Sequence, residues 1–259
     1  MAKSKVKEGQ IFERKEKKYV LTREKFSKLI NLFEKHMDFD DYGLHTINTI
    51  YYDNSDYDVI RHLVSKPKFK EKLRLRSYGQ LGKKGEVFLE LKKKVAGITY
   101  KRREKLSYED SQRFLNHEPI AKESQILNEI NYYQNQNELQ PKVLVSYDRL
   151  AMSHRHYPDF RITFDQNIRY SLNEFDLTQV NEIKQQYLID EDTILMEIKI
   201  AGSFPLEISR ILSKLNIYQG KFTKYGNIYK EVIEPQYYQN KLDKRLITEE
   251  INYDYEYSV

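Results

Sequence analysis

The chain has 259 residues and contains neither cysteine nor tryptophan. Without cysteine it cannot form a disulfide framework, a zinc–thiolate site or a thiolate nucleophile. It also lacks a run of about 20 apolar residues, the length needed to cross a bilayer. The first ten residues, MAKSKVKEGQ, lack the apolar centre of a signal peptide. These absences predict a cytoplasmic protein.

Motifs for several kinds of catalysis are missing as well. The glycines of GQLGKKG, residues 79–85, do not complete the phosphate-binding pattern GxxxxGKS or GxxxxGKT, and we predict a hairpin turn there. No serine lies in a nucleophile-elbow sequence. His154 and His156 share a strand face but have no third ligand at a diagnostic spacing, so we interpret them as a surface pair and not as a zinc site.

Charge is abundant but nearly balanced. Charged residues make up 32% of the chain, yet the net charge is only +5. The basic character is therefore local, which favours a focused anion site over a protein that coats nucleic acid. We expect no nucleic-acid partner.

In one stretch of the chain, basic residues occupy every second position. In KFKEKLRLR, from Lys68 to Arg76, every even position is basic, whereas Phe69, Leu73 and Leu75 occupy odd positions. This alternation predicts a strand with a row of cations about 6–7 Å apart on one face. Because burying an unpaired cation costs several kcal/mol, that face must meet water or an anion.

The same alternation recurs along the chain in RKEKKY, EVFLELKKK, TYKRREKL, FRITFDQ and ILMEIKI. Each segment has one charged and one largely apolar face. A sheet closed on itself, with its apolar side outward under helices, would gather the cations into one lumen. We therefore predict an α+β fold with a closed β-barrel, formed by a single domain over residues 1–259 in which residues 234–259 are a tail or helix.

Isolated carboxylates lie among these cations. Arginine and lysine suit phosphate oxygens, and a carboxylate beside them can hold Mg²⁺ or Mn²⁺ against the same phosphates. Glu197 is our first candidate metal ligand and Glu90 our second. The alternative for each is an internal ion pair with a neighbouring lysine or arginine.

Several motifs, in this order, resemble the VTC (vacuolar transporter chaperone) domain of polyphosphate polymerases, within the triphosphate tunnel metalloenzyme superfamily. The resemblance covers about residues 10–233 and is carried by RKEKKY, TIYYDN, KLRLRSYG, FLELKKK, YKRREKL, SYDRLAM, FRITFDQNI, LMEIKI and GKFTKYGNIY. It implies an eight-stranded antiparallel tunnel that uses Mn²⁺ or Mg²⁺. The implied reaction moves the γ-phosphoryl group of ATP onto a polyphosphate chain or pyrophosphate and releases ADP.

The resemblance, together with the strand faces, gives candidate site residues. The predicted catalytic residues are Arg74, Arg76, Lys92, Arg149 and Glu197. The predicted substrate-binding residues are Arg14, Lys18, Lys101, Arg103, Tyr147, Arg161, Lys199, Lys221 and Lys224. The predicted metal ligands are Glu197 and Glu90.

The first strand departs from one branch of the superfamily. Hydrolases and cyclases carry E-x-E-x-K there, whereas this chain has Arg14, Glu16 and Lys18. Loss of the first carboxylate removes a potential metal ligand, which favours a one-metal polymerase over two-metal hydrolysis. A tripolyphosphatase or nucleoside-triphosphatase on the same fold is one alternative. A non-catalytic module that binds polyphosphate or nucleic acid is another.

The sequence given contains neither the SPX domain nor the membrane helices of the eukaryotic enzymes. We therefore expect any export of the product to need a separate membrane protein, through which this domain would associate with a membrane.

Overall fold

The computed structural model describes residues 15–82, 84–95, 98–239 and 241. Within them the strands are β1 (Lys15–Thr22), β2 (Met37–Phe39), β3 (His45–Asp53), β4 (Phe69–Tyr78), β5 (Glu86–Val95), β6 (Ile98–Ser107), β7 (Gln140–His154), β8 (Arg161–Ser171), β9 (Gln186–Tyr187) and β10 (Thr193–Ile200). The helices are α1 (Arg23–Phe33), α2 (Asp58–Val64), α3 (Tyr108–Leu115), α4 (Gln125–Asn137), α5 (Leu206–Lys214) and α6 (Lys224–Ile228).

All ten strands belong to one antiparallel sheet. Its main path is β1-β10-β8-β7-β3-β4-β5-β6, while β2 pairs with β7 and β9 pairs with β8. The predicted α+β class with a large antiparallel sheet is confirmed, and the main path contains eight strands.

The predicted closed barrel is wrong, because β1 and β6 end the path and do not pair with each other among the described residues. The outer edge of β1 is used elsewhere: the Gly220 N–H donates to the Lys18 carbonyl at 2.8 Å, and Tyr19 forms a bridge with Gln219.

The apolar side of the sheet is covered by helices in two clusters. Leu73 and Leu89 pack with Leu127 and Ile130 of α4. In the second cluster, buried side chains of β1, β8 and β10 pack with α1 and α5. Because burying one such side chain contributes about 1.5–3 kcal/mol, these clusters fix which side of the sheet faces the helices. The charged side of each strand therefore faces away from the helices.

Polar caps begin three of the covering helices. The side chain of Thr22 accepts a hydrogen bond from the Lys25 N–H at the start of α1. Ser107 caps α3 and Ser124 caps α4 in the same way. Each cap satisfies an N–H group that has no partner within its own helix, and such a cap is typically worth about 1 kcal/mol.

The chain divides into two compact units, Met1–Phe222 and Thr223–Val259. The second unit contains α6, a π-helical turn (Tyr229–Ile233) and helical residues 234–239. The single domain over residues 1–259 stays a prediction. No helix in the described ranges is both long and apolar enough to span a membrane.

Candidate functional site

A contact between two distant strands shows that the charged face is concave. The Lys92 Nζ on β5 lies 3.8 Å from the Glu16 Oε2 on β1, although β5 is the seventh strand of the path that begins with β1. In a flat sheet, six steps of about 4.8 Å would separate these strands by about 29 Å. The sheet must therefore curve strongly toward its charged side.

The strand registers bring the predicted cations onto this concave face. Residues directly opposite each other on antiparallel strands share a face. Lys92 is opposite Lys101 and Lys18 is opposite Glu197, while Arg161 is opposite Lys199. The face carries cations from β1, β4, β5, β6, β7, β8 and β10, so the basic residues of separate segments converge.

Glu90 lies at the centre of one cation cluster and is completely buried. Its Oε2 is 2.6 Å from Arg74 Nε and 4.0 Å from Arg76 Nη1. Its Oε1 is 2.6 Å from Lys101 Nζ and 3.2 Å from Arg103 Nε. Burial alone would raise the pKa of Glu90, but the charges of Arg74, Arg76 and Lys101 lower it to about 2. Cations therefore contact both oxygens of Glu90, as its ion-pair interpretation expects, and its role as a metal ligand stays a prediction.

Glu197 lies on the same concave face in a different setting. Its Oε1 is 3.1 Å from Lys199 Nζ, and its charge also acts on Lys92 and Arg149. Glu16 is opposite Lys199, so it is a diagonal neighbour of Glu197. No group of three or more His, Asp or Glu side chains that could hold a metal exists within the described ranges. A Mg²⁺ or Mn²⁺ ion bound mainly by phosphates needs only one or two carboxylates, and this donor set fits that case.

Two arginines are held by partners in the sheet. Nε and Nη2 of Arg149 donate to the two carboxylate oxygens of Asp165 at 2.6 and 2.7 Å. Arg76 Nε donates to Thr49 Oγ1 at 3.2 Å, and its Nη2 donates to the Tyr147 hydroxyl at 3.4 Å. Tyr147 is therefore a hydrogen-bond partner of Arg76, and its predicted role in binding substrate stays a prediction. That Asp165 anchors Arg149 could not be predicted from the sequence.

Lys72 is a site residue that our prediction missed. It is directly opposite Lys92, and its Nζ is 5.5 Å from the centre of the Tyr51 ring. Burial, together with the charges of Arg74, Lys92 and Lys18, lowers the pKa of Lys72 to about 8. The signal was present, because Lys72 belongs to the alternating row of KFKEKLRLR.

The remaining predicted residues have other surroundings or lie outside the described residues. Arg161 forms an ion pair with Asp40 at 2.8 Å near the start of β8. Lys221 is exposed and follows the segment that bonds to the edge of β1. Lys224 begins α6 in the second unit, and Arg14 lies outside the described residues. Their roles stay predictions.

The histidine pair differs from the sequence interpretation. His154 is only 3% exposed, because it lies on the side of β7 that faces the helices. Its Nδ1 accepts from the His156 N–H, so its Nε2–H donates to Glu207 Oε1 at 3.1 Å. The interpretation of a surface pair is therefore wrong for His154.

Solved structures of other proteins resemble this fold at low sequence identity. A Bacillus halodurans protein named as a candidate adenylate cyclase has 14% identity and a TM-score of 0.48, covering 80% of this chain and 92% of that chain. The PH1819 protein of Pyrococcus horikoshii has 14% identity and a TM-score of 0.45, covering 86% and 99%. A Hippeastrum protein named as a candidate adenylyl cyclase with a dominant triphosphatase activity has 11% identity and a TM-score of 0.43, covering 83% and 94%.

Curated protein sequences give no significant match to this chain. The sequence profile of the VTC domain, in contrast, matches residues 13–233, a span that contains every strand described above. The chain therefore belongs to the VTC domain family.

Proposed function

We propose that the chain is an ATP-dependent polyphosphate polymerase, which moves the γ-phosphoryl group of ATP onto the terminal phosphate of a polyphosphate chain or pyrophosphate. The main support is the concave face, which brings cations from seven strands onto one side of the sheet. Guanidinium and ammonium groups suit phosphate oxygens. Membership of the VTC domain family supports the same assignment.

The proposed reaction needs no nucleophile from the protein. An oxygen of the terminal phosphate of the acceptor attacks the γ-phosphorus of ATP and forms a new P–O bond. The bond from the γ-phosphorus to the bridging oxygen of the β-phosphate breaks, and ADP leaves with that oxygen. Catalysis then depends on positioning and charge neutralisation, which suits a site built from arginine and lysine.

The chain's own residues would have distinct tasks. A guanidinium has five N–H donors, so Arg74 and Arg149, which are anchored by Glu90 and Asp165, still have donors for phosphate oxygens. Lys92 would supply a mobile charge beside them. Because the carboxylates hold the arginines in place before substrate arrives, less ordering is needed at the moment of reaction.

A divalent metal completes the proposal. Glu197, with Glu16 as its neighbour on the face, would hold Mn²⁺ or Mg²⁺ through carboxylate oxygens. The metal would neutralise charge on the bound phosphates. ATP and pyrophosphate or polyphosphate are the proposed partners, with a separate membrane protein for any export.

A tripolyphosphatase or nucleoside-triphosphatase is the second candidate. It is favoured by Glu16, which gives the concave face a second carboxylate beside Glu197 and contacts Lys92. In that case water, and not a phosphate chain, would accept the phosphoryl group.

One assay separates these functions. The intact chain is incubated with ATP, Mn²⁺ and a pyrophosphate primer, and the products are resolved on a gel. We expect a ladder of polyphosphates together with ADP, and no ladder from Glu197→Gln although that variant still binds tripolyphosphate. ADP without a ladder, or free phosphate from tripolyphosphate, would contradict the polymerase and indicate the hydrolase. Tight binding of tripolyphosphate without turnover would indicate a binding module.

A further inference from the structure

Aromatic side chains occupy the end of the concave face where β4 finishes and β5 begins. The rings of Tyr78 and Phe88 contact each other at 5.6 Å between centroids, in an edge-on arrangement. His45 lies 6.3 Å from Tyr78, and Tyr42 lies 5.9 Å from His45. Four rings therefore form one continuous run along this end of the face.

Two rings of this run are open to water. Tyr42 is 78% exposed and Tyr78 is 44% exposed. Aromatic rings provide large apolar area and usually bury most of it. Exposed rings beside a basic groove are the arrangement by which proteins stack nucleobases while cations contact the phosphates.

The run adjoins the phosphate-binding cations directly. The Arg103 guanidinium lies 3.5 Å from the centroid of Phe88, and its Nη2 donates to the Tyr78 hydroxyl at 3.0 Å. Arg103 also contacts Glu90. Along β4, Tyr78 is followed inward by Arg76 and then Arg74, at distances of about 7 and 13 Å. A ribose and the first phosphates can span that distance.

We propose that Tyr42, His45 and Tyr78 form a platform for the base of a nucleoside triphosphate. Neighbouring rings of the platform are inclined by 63° and 47°, so the base would stack on one ring and contact the edges of the others. The nucleotide would bind with its base at this end of the concave face and its phosphates directed along β4 toward Arg76 and Arg74. That the ligand is a nucleotide rests on the proposed function. Because stacking uses the face of the base and not its edges, the platform accepts several bases.

A structural explanation of the rings makes a different prediction. If they served only to hold Arg103, their loss would weaken every phosphate ligand equally. Tyr78→Phe tests this point, because it keeps the ring and removes the hydroxyl that accepts from Arg103. Tyr42→Ala tests the platform at the ring farthest along the run from Arg103.

The experiment compares ATP with tripolyphosphate, which has the phosphates but no base. Affinities of the intact chain are measured by titration calorimetry. We expect Tyr42→Ala and Tyr78→Ala to weaken ATP binding, by roughly 5- to 150-fold for the ring on which the base stacks, the range for loss of one base–aromatic stack. Tripolyphosphate affinity should change less than about 2-fold. Tyr78→Phe, which keeps the ring, should bind ATP more tightly than Tyr78→Ala does. Tyr132→Ala, which alters a 69% exposed tyrosine on α4, should bind ATP as the unaltered chain does.

Two outcomes separate the platform from the proposed function. Equal weakening of ATP and tripolyphosphate in Tyr42→Ala and Tyr78→Ala would overturn the platform and leave the phosphate site intact. Failure of the unaltered chain to bind either ligand would overturn both.

Discussion

Nε of Arg74 lies 2.6 Å from Oε2 of Glu90, and the Glu90 side chain has no exposed surface. Glu90 is on β5, between the two arginines of β4 and the two cations of β6 that share its charge. A single carboxylate thus holds together cations from the strands on either side. Their charge is only partly compensated, so the cluster is assembled before an anion binds and still attracts one.

Removing the negative charge of Glu90 should destabilise the fold. Glu90→Gln keeps the size of the side chain but leaves buried cations facing one another. Breaking a buried ion pair by removing one partner costs about 3–5 kcal/mol, and we expect the free energy of unfolding at pH 7 to fall by about that amount. Chemical denaturation measures it.

The pH dependence of this effect has a defined sign. The pKa of Glu90 is about 2 in the folded chain, below its ordinary value of 4.5. Its stabilising contribution is therefore present above pH 4.5 and is lost as the pH falls toward 2. The difference between the unaltered chain and Glu90→Gln should narrow over that interval. Equal stability of the two proteins at pH 7 would contradict the conclusion that Glu90 stabilises the fold by holding these cations together.

Two comparisons isolate the role of charge in Glu90→Gln. Tripolyphosphate can replace the missing negative charge, so it should raise the melting temperature of this variant more than that of the unaltered chain. Glu24→Gln removes a carboxylate from an exposed pair with Lys28, which also measures 2.6 Å, and should change stability little. A similar loss in both variants would indicate that burial of Glu90 is unimportant.

The alternation in the sequence was sufficient to predict the faces of the strands but not their partners. It placed Arg74 and Arg76 on the charged side of β4, where the structure has them. Closure could not be predicted, because period-two patterning does not say which strand meets a given edge. The edge of β1 bonds to Gly220 and Gln219, residues without a strand pattern of their own.

The partners of the site residues could not be predicted from the sequence either. Both Glu90 and Glu197 were predicted to lie among cations, and they do. Whether a carboxylate contacts one cation or four depends on cross-strand register, which local sequence does not encode. Burial of His154 was missed for a related reason, since its partner Glu207 comes from α5, more than fifty residues later. Residue types and faces were thus predictable, whereas long-range pairs were not.

Asp165 should act as a positioning residue for Arg149. It is 2% exposed, and both of its oxygens accept from the Arg149 guanidinium. Asp165→Asn cannot accept both bonds, and one hydrogen bond to a charged group is worth about 1.5–3 kcal/mol. We expect kcat/KM for ATP to fall roughly 10-fold or more as Arg149 loses its fixed orientation. Steady-state kinetics would show it.

A matched aspartate controls for general damage to the sheet. Asp148 is on the opposite face of β7, where it accepts from Thr46 and Asn167. Asp148→Asn should therefore lower stability without changing kcat/KM. Arg149→Lys should lower kcat/KM as Asp165→Asn does, because lysine keeps the charge but lacks the planar guanidinium that donates two parallel hydrogen bonds. Normal kinetics in Asp165→Asn would show that the orientation of Arg149 is not needed.

Binding of phosphate should draw a proton onto Lys72. Its pKa is lowered to about 8 by burial and by the charges of Arg74, Lys92 and Lys18. An anion nearby favours the charged form and raises that pKa again, so tripolyphosphate binding near pH 8 should be coupled to proton uptake. Calorimetry in buffers of different ionisation enthalpy measures this uptake.

Lys72→Arg keeps the charge but does not titrate, so it should take up fewer protons and lose less affinity between pH 7 and pH 9.5. Some uptake should remain, because the pKa values of Lys92 and Lys101 are also lowered by burial. Identical uptake in Lys72→Arg and the unaltered chain would show that Lys72 does not face the bound phosphates.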